Sequence, residues 1–318
     1  MTARRLLVIG CNGFIGRHVV IAAARGGMEV HGFDRAAPSD QSALAGFHAG
    51  SLADPVCLER VFATVRPDRV ISLAAHAGAG SGPGMSAERD IDAAFAVNVE
   101  GFRSLVGTCR AHGVSRLVWA SSTTVLGQQA DHASDLVDEA APRFPAGIYG
   151  LTKSLAEEIG TFAHRHWGLE VVGVRPTLVL GPGHSYGGLL DPLKALFEAC
   201  RPAAPATLEI GWGRHRFDIV HVGDVAEACV ALAAAPPGLR PLYHVNGGTT
   251  DIDTVAALAR AARPELDLAV RDETPSVVFP LVAAERIAAD IGFRPRYGAD
   301  ETICRCIEHA RNREECYA

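Results

Sequence analysis

Tyr149 and Lys153 stand four residues apart in the segment AGIYGLTKSLAEEIG, residues 146–160. Apolar residues recur in this segment every three or four positions, which predicts a helix with both side chains on one side of it. The chain has only two lysines, and this one lies beside a tyrosine with which it forms no ordinary ion pair near neutral pH. Because a neighbouring ammonium favours the phenolate form of tyrosine, the pair predicts proton-transfer chemistry.

A glycine-rich segment, VIGCNGFIGRHV, places Gly10, Gly13 and Gly16 between an apolar run and a helical pattern. At a turn from strand to helix, such glycines permit a tight turn, let a pyrophosphate approach the backbone and let the helix pack closely on the strand. The N-terminus of the helix then offers N–H groups to phosphates. The spacing is one residue longer than the common dinucleotide fingerprint, and three glycines in a turn also occur for structural reasons alone.

Asp34 ends the predicted second strand, 18 residues after Gly16. A carboxylate at this position accepts hydrogen bonds from the adenosine ribose and repels a 2′-phosphate, which favours NAD over NADP. Two alternatives stay open, because Arg35 could turn toward a 2′-phosphate and Asp34 could simply begin a turn.

Together these features predict a hydride-transfer site. With a nicotinamide ring across the carboxyl ends of the strands, Tyr149 would exchange a proton with a substrate hydroxyl or carbonyl, and Lys153 would hold the nicotinamide ribose. The ammonium and the positively charged ring would both lower the pKa of the tyrosine. A second hydrogen bond to the same substrate oxygen would come from the hydroxyl-rich end of a predicted strand, at Ser121, Ser122, Thr123 or Thr124.

Short apolar strands alternate with longer helical stretches up to residue 176. Strands are predicted at 5–10, 29–34, 46–50, 68–75, 115–122 and 169–176, and helices at 14–26, 54–65, 88–113 and 146–166. Strands that are apolar on both faces and separated by helices indicate a parallel sheet covered on each side. The predicted fold class is therefore α/β, with a doubly wound parallel sheet of the Rossmann type.

The alternation ends after about residue 178, where Gly- and Pro-rich segments surround a short predicted helix. A strand and a helix follow from 217, a last parallel strand is predicted at 242–246, and two helices at 251–262 and 299–313. We predict a Rossmann domain of residues 1–178 and 217–248. Residues 179–216 and 249–318 would form a smaller C-terminal substrate-binding domain.

The composition describes a folded globular protein and excludes several functions. The chain has 318 residues, 48% of them hydrophobic and 21% charged, and a net charge of −6. With no basic tract, nucleic-acid binding is not expected. The apolar run after the N-terminal arginines is too short for a signal peptide or a membrane span, so we predict a cytoplasmic protein with no membrane association. Eight cysteines and thirteen histidines show no metal-binding spacing, and no metal is expected.

These motifs resemble the extended short-chain dehydrogenase/reductase family, in its NAD-dependent epimerase/dehydratase group, over residues 5–250. GCNGFIG resembles its T-G-G-x-G-F-I-G, VISLAA its V-I-H-L-A-A, VNVEG its N-V-x-G-T and VRPTLVLGPG its R-P-x-x-V-Y-G-P-G. SSTTVLG resembles S-S-x-x-V-Y-G, which implies that Ser122 is the catalytic hydroxyl beside Tyr149 and Lys153. Ser51 stands where the family has an aspartate that contacts adenine.

The resemblance implies an NAD site and a set of substrate contacts. The implied cofactor-binding residues are Gly10, Gly13, Phe14, Ile15, Gly16, Asp34, Arg35, Ser51, Leu52, Leu73, Ala74, Ala75, Asn98, Ser121, Tyr149, Lys153 and Pro176. The implied substrate-binding residues are His76, Thr123, Thr124 and Arg216. His184, Ser185 and the segment 78–86 are further candidates for the substrate pocket.

The reaction that the resemblance implies is oxidation at a sugar hydroxyl. Dehydratases of the family carry Asp-Glu after the catalytic hydroxyl, and Thr123 and Thr124 at these positions argue against a 4,6-dehydratase. The leading hypothesis is a nucleotide-sugar C4 epimerase, in which Arg214 or Arg216 would grip the diphosphate, although Arg216 is one residue out of the family register. The alternative is a net dehydrogenase or ketoreductase acting on a sugar, sugar acid or polyol. The family also implies a homodimer formed by the helices near 88–113 and 148–164.

Overall fold

The computed structural model describes residues 4–76, 82–184, 187–275 and 277–312. Its strands are β1 Arg5–Ile9, β2 Glu29–Asp34, β3 Gly46–Ala49, β4 Arg69–Ser72, β5 Arg116–Ala120, β6 Leu136–Val137, β7 Glu170–Pro176, β8 Leu178–Leu180, β9 Thr207–Trp212, β10 Phe217–His221, β11 Leu242–Val245, β12 Gly248–Thr250, β13 Asp267–Asp272 and β14 Leu281–Val282. Its α-helices are α1 Phe14–Arg25, α2 Pro55–Val65, α3 Pro83–Arg89, α4 Ile91–Phe95, α5 Phe102–Ala111, α6 Ile148–His166, α7 Asp191–Ala199, α8 Val222–Ala234, α9 Ile252–Ala262, α10 Glu285–Ile291 and α11 Ala299–Asn312.

Seven parallel strands form the central sheet, in the order β11-β7-β5-β4-β1-β2-β3. One face of the sheet packs against α1 and α8, and the other packs against α2, α5 and α6. Leu6 and Val8 face the first of these cores, while Leu7 and Ile9 face the second. A strand buried on both faces must be apolar throughout, as the sequence of β1 is. The doubly wound α/β fold is confirmed.

The predicted helix over 88–113 is divided in the structure. Asp90 leaves the helical conformation and accepts a hydrogen bond from the Ala93 backbone N–H at 3.0 Å, so that α3 ends before it and α4 begins after it. Between α4 and α5 the chain makes a π-helical turn over Ala96–Gly101. Wider turns of this kind are frequent at functional sites.

The rest of the chain builds a second core beside the central sheet. Strands β8, β10 and β12 form one small sheet and β9 pairs with β13, and the core between them includes Leu180, Leu193, Phe217 and Ile303. The predicted strand at 217 thus hydrogen-bonds with β8 and β12 rather than with the seven-stranded sheet, although α8 returns to that sheet. The division into two domains stays a prediction. In the described part of the chain, no helix has both the length and the apolar character needed to span a membrane.

Candidate active site

A cavity of about 1100 Å³ opens at the carboxyl ends of β1, β2, β4, β5 and β7. This edge of a parallel sheet is where α/β proteins bind their ligands. Most of the predicted site residues line it: Gly10, Gly13, Phe14, Ile15, Gly16, Asp34, Arg35, Ser51, Leu52, Leu73, Ala74, Ala75, His76, Ser121, Ser122, Thr124, Tyr149, Lys153 and Pro176. The sheet therefore brings motifs from the first 176 residues to one place.

The glycine loop leaves bare backbone at the start of α1. Gly10 has a φ of +81°, and a Cβ there would lie 2.8 Å from the Ala74 backbone nitrogen. A Cβ on Gly16 would lie only 1.9 Å from the Gly10 carbonyl oxygen, so loop and helix meet at a distance that only glycine allows. Gly13 is the N-cap of α1 and supplies no side-chain oxygen to it. The loop fits the pyrophosphate of a dinucleotide, which takes its hydrogen bonds from backbone N–H groups.

Asp34 is half-buried at the end of β2, on the same side of the sheet. Its carboxylate accepts hydrogen bonds from the Asn12 backbone N–H at 3.0 Å and from the Arg35 backbone N–H at 2.7 Å. Each carboxylate oxygen has a second lone-pair direction, so Asp34 can also accept from ribose hydroxyls. Ser51 lines the cavity and accepts from the Ala53 backbone N–H at 3.2 Å. This half of the cavity fits the adenosine part of a dinucleotide.

Tyr149 and Lys153 lie on α6 and both line the cavity. The Lys153 Nζ lies 5.7 Å from the centre of the Tyr149 ring and donates a hydrogen bond to the Ala120 carbonyl oxygen at 2.7 Å. Burial lowers the pKa of Lys153 from 10.5 to about 8, while the nearby Glu157 carboxylate opposes this change. The cation is therefore close to the tyrosine ring in a sheltered place, as the proton-transfer prediction requires.

Ser122 and Thr124 lie on the cavity, and Thr123 does not. Ser122 caps a short 3₁₀ helix over Thr123–Leu126, and its Oγ accepts from the Thr124 backbone N–H at 3.2 Å and from the Thr124 hydroxyl at 2.9 Å. The tight turn directs Thr123 into the protein, where its hydroxyl donates to the Pro176 carbonyl oxygen at 3.3 Å. The structure thus places Thr123 outside the cavity, whereas the prediction had it contact the substrate.

Asn98 acts beneath the cavity rather than in it. It lies in the π-helical turn, where its Oδ1 accepts from the His76 backbone N–H at 2.8 Å and its Nδ2 donates to the Thr152 hydroxyl at 3.1 Å. Thr152 in turn donates to the Tyr149 carbonyl oxygen at 2.9 Å. Asn98 therefore ties the segment after β4 to the first turn of α6, and we assign it a positioning role.

Glu157 forms a buried polar network that the sequence analysis missed. Its carboxylate accepts from the Ser121 hydroxyl at 2.5 Å and from the Arg175 Nε and Nη2 at 2.7 and 2.6 Å. Arg143 adds a fourth hydrogen bond to Glu157, from its Nη1 at 3.1 Å. Glu157 is fully buried and Arg175 is 1% exposed. Since Glu157 lies one turn after Lys153, the network connects α6, β7 and the end of β5 directly behind the site.

Arg214 and Arg216 do not line the cavity. Arg214 is exposed and pairs with Asp253 at 2.7 Å, and Arg216 is exposed just before β10. Phe217 occupies the position at which the family pattern expects the arginine, and it is buried in the second core. The prediction that Arg216 contacts substrate is therefore not supported by its position. Ser185 and residues 78–81 of the proposed substrate segment lie outside the described residues.

His184 lies on the substrate side, where burial lowers its pKa to about 4, and its ring packs 5.1 Å from that of Phe14. It is neutral near pH 7.

Among the residues described, no three His, Cys, Asp or Glu side chains are grouped so as to hold a metal ion.

Comparison with known proteins agrees with this geometry. A sequence model described as the NAD dependent epimerase/dehydratase family matches residues 6–248. UDP-glucose 4-epimerase 2 of Oryza sativa subsp. japonica is 27% identical, over 95% of this chain and 80% of its own length. A 2-alkyl-3-oxoalkanoate reductase of Stenotrophomonas maltophilia (strain K279a) is 28% identical, over 85% of this chain and 79% of its own length. The crystal structure of the Thermus thermophilus UDP-glucose 4-epimerase in complex with NAD superimposes with a TM-score of 0.80 at 27% identity, covering 96% of this chain and 98% of that one.

Proposed function

Because the chain belongs to the NAD-dependent epimerase/dehydratase family, we propose that it interconverts a secondary alcohol and a ketone on a sugar-like substrate. The observation that carries the proposal is the convergence of Tyr149, Lys153 and Ser122 on the cavity that the glycine loop also lines. When bound, NAD supplies the hydride acceptor or donor of such a reaction. The glycine loop, Asp34 and Lys153 would hold it.

The chain's own residues divide the remaining work. Tyr149 takes the hydroxyl proton of the alcohol, or returns one to the ketone oxygen, as general base or acid. Lys153 stabilises the phenolate of Tyr149 by its charge. Ser122 donates a hydrogen bond to the same substrate oxygen, since its Oγ already accepts from Thr124 and retains its own proton. The three groups thereby polarise one C–O bond from two sides.

Two overall reactions are compatible with this site. The similarity to UDP-glucose 4-epimerases over nearly the whole chain favours epimerisation at C4 of a nucleotide sugar. The position of Arg214 and Arg216 away from the cavity favours a net dehydrogenase or ketoreductase, because a diphosphate needs cationic or other strong donors close to it. We favour the net dehydrogenase or ketoreductase, because the position of the two arginines is a property of this chain, whereas the epimerase assignment depends on similarity to other proteins.

Incubation with NAD and a panel of candidate substrates separates the two reactions. We expect a stoichiometric rise in NADH absorbance with an unphosphorylated sugar, sugar acid or polyol and no epimer of the starting sugar. An epimerase returns the hydride, so a nucleotide sugar that is converted to its C4 epimer without NADH accumulation would establish the other reaction. Chromatography of the products alongside the absorbance trace measures both outcomes.

We also propose that the protein is a homodimer in which α6 lies at the interface. Leu151, Leu155 and Phe162 are 38%, 36% and 53% exposed on this helix, and burial of apolar side chains is the main drive for such contacts. The double substitution Leu155→Glu and Phe162→Glu should raise the dimer dissociation constant by about a hundredfold or more, measured by sedimentation velocity. The matched control is Val56→Glu, which changes an exposed valine on α2. An unchanged dimer, or a monomeric parent protein, would contradict the assignment.

A cytoplasmic location completes the proposal. The described cysteines are all free thiols, and six of the seven are buried. Unpaired thiols of this number are typical of proteins that function in a reducing compartment.

A further inference from the structure

The substrate side of the cavity is lined mainly by apolar side chains. Met85 comes from α3, Leu189 and Leu190 precede α7, and Val277 and Phe279 precede β14. Met85 and Leu189 are 42% and 41% exposed and present apolar surface to the cavity. This half of the cavity is therefore suited to a substrate that presents carbon and hydroxyl groups.

Glu88 is the carboxylate among these groups, and it is fixed close to Tyr149. Its Oε1 accepts a hydrogen bond at 2.6 Å from the backbone N–H of Ile148, the first residue of α6. A Cβ on Gly147 would lie 2.7 Å from the same oxygen, so the glycine permits the carboxylate to approach the helix end. Gly147 gives α6 no side-chain cap, and Glu88 supplies the missing acceptor from another element. Each carboxylate oxygen has two lone-pair directions, so Glu88 can also accept a hydrogen bond from a ligand.

Two cations line the cavity within the described residues, Arg35 and Lys153. Within the described lining, Arg35 lies at the β2 end beside Asp34, and Lys153 donates to the Ala120 carbonyl oxygen. Lys194 is close enough to His184 to affect its pKa, and it pairs with Asp191 at 3.4 Å. Among the described residues that line this half of the cavity, Glu88 is the charged group besides Lys153.

We propose that this site takes an uncharged, hydroxyl-bearing substrate that Glu88 recognises, rather than a phosphorylated sugar or a sugar diphosphonucleotide. A carboxylate accepts charge-assisted hydrogen bonds from substrate hydroxyls and repels a phosphate. The adjoining apolar side chains gain contact area from the carbon skeleton. The inference rests on the proposed oxidoreductase function and specifies the substrate class for it.

Glu88→Gln tests the role of the charge, because the amide oxygen can still accept from the Ile148 N–H. Free hexoses and hexitols are compared with their phosphate esters and with UDP-glucose, on protein saturated with NAD. In the parent protein, kcat/KM for uncharged members should exceed that for phosphorylated ones by at least about tenfold. Glu88→Gln should raise KM for the uncharged substrate about tenfold with little change in kcat. It should therefore reduce the ratio of kcat/KM for uncharged substrates to kcat/KM for phosphorylated ones. Glu59→Gln, an exposed carboxylate on α2, is the matched control and should change neither.

UDP binding to the NAD-saturated parent protein provides a second measurement that needs no variant. We expect no heat of binding below about 1 mM UDP by titration calorimetry, corresponding to the absence of a diphosphate subsite. Micromolar binding of UDP, preferred turnover of a phosphorylated substrate, or an unaltered KM and discrimination in Glu88→Gln would each overturn the inference. If one of these results is found while turnover still depends on the Tyr149 hydroxyl, the substrate-class inference fails and the oxidoreductase proposal stands. Turnover that survives loss of the Tyr149 hydroxyl defeats that proposal instead.

Discussion

Tyr149→Phe should lower kcat by about a thousandfold, with the affinity for NAD nearly unchanged. The substitution removes one hydroxyl and keeps the aromatic ring, so the first turn of α6 and the Lys153–Ala120 hydrogen bond remain in place. General acid–base catalysis by one positioned group contributes about 10²- to 10⁴-fold to a rate, and this contribution is lost with the Tyr149 hydroxyl. Steady-state turnover measures the loss, and fluorescence titration with NADH measures the affinity.

Tyr243→Phe is the matched control for this substitution. Tyr243 is fully buried outside the cavity, and its hydroxyl donates to Asp290 at 2.8 Å and accepts from the Arg240 backbone N–H at 2.8 Å. Its loss should reduce the stability of the protein by about 1–3 kcal/mol and leave kcat within twofold of the parent value. If Tyr149→Phe kept more than a tenth of the parent kcat while Tyr243→Phe behaved as expected, the proton-transfer role would be wrong.

The parts of the site that the sequence predicted are those set by local pattern. The turn from β1 into α1 needs glycines at fixed places because the backbone is crowded there. A Cβ on Gly16, for example, would lie 1.9 Å from the Gly10 carbonyl oxygen. Likewise, the position of Tyr149 relative to Lys153 follows from helical geometry alone. Parallel strands then carry both motifs to one edge of the sheet, so the fold class was sufficient to bring them together.

The predictions that the structure does not support depend on small changes of backbone direction. Thr123 and Thr124 are neighbours after β5, but the 3₁₀ turn that Ser122 caps puts one of them inside the protein and the other on the cavity. Successive residues of a strand point to opposite faces of its sheet, so a shift of one residue in register changes which side chain points inward. At the start of β10 the inward side chain is Phe217, and Arg216 before it is exposed. No periodicity in the sequence specifies such a shift.

Contacts between distant segments were beyond prediction from pattern. Glu88 accepts from the Ile148 N–H although the two residues are 60 positions apart in the sequence. Glu88 lies on α3, the short helix that results because the predicted helix is interrupted at Asp90. The Glu157–Arg175 pair depends on how far α6 is shifted along β7, and the packing of the two elements decides this shift. A charged residue in a helical pattern is usually placed on the solvent face, and here the same pattern includes the most deeply buried carboxylate of the site.

The buried pair also yields the second large prediction, for Glu157→Gln. The substitution leaves the Arg175 guanidinium, 1% exposed, without a full counter-charge, and breaking a buried pair in this way costs about 3–5 kcal/mol of stability. It also weakens the acceptor that holds the Ser121 hydroxyl at 2.5 Å, next to Ser122. We expect a lower midpoint of denaturant unfolding and a reduced kcat. Glu158→Gln is the matched control, since Glu158 is exposed on the same helix and pairs with Arg143 at the surface.

The pH dependence separates a positioning role of Glu157 from a merely structural one. The pKa of Lys153 is about 8, so its ammonium is present below that pH and is lost as the pH rises through it. The kcat/KM of the parent protein should therefore fall above about pH 8, because the neutral amine no longer stabilises the Tyr149 phenolate. Glu157 favours the ammonium, and its removal should lower the pKa of Lys153 further, which moves this fall to lower pH. A variant that is less stable but keeps the parent pH profile would show that Glu157 supports the fold without acting on Lys153.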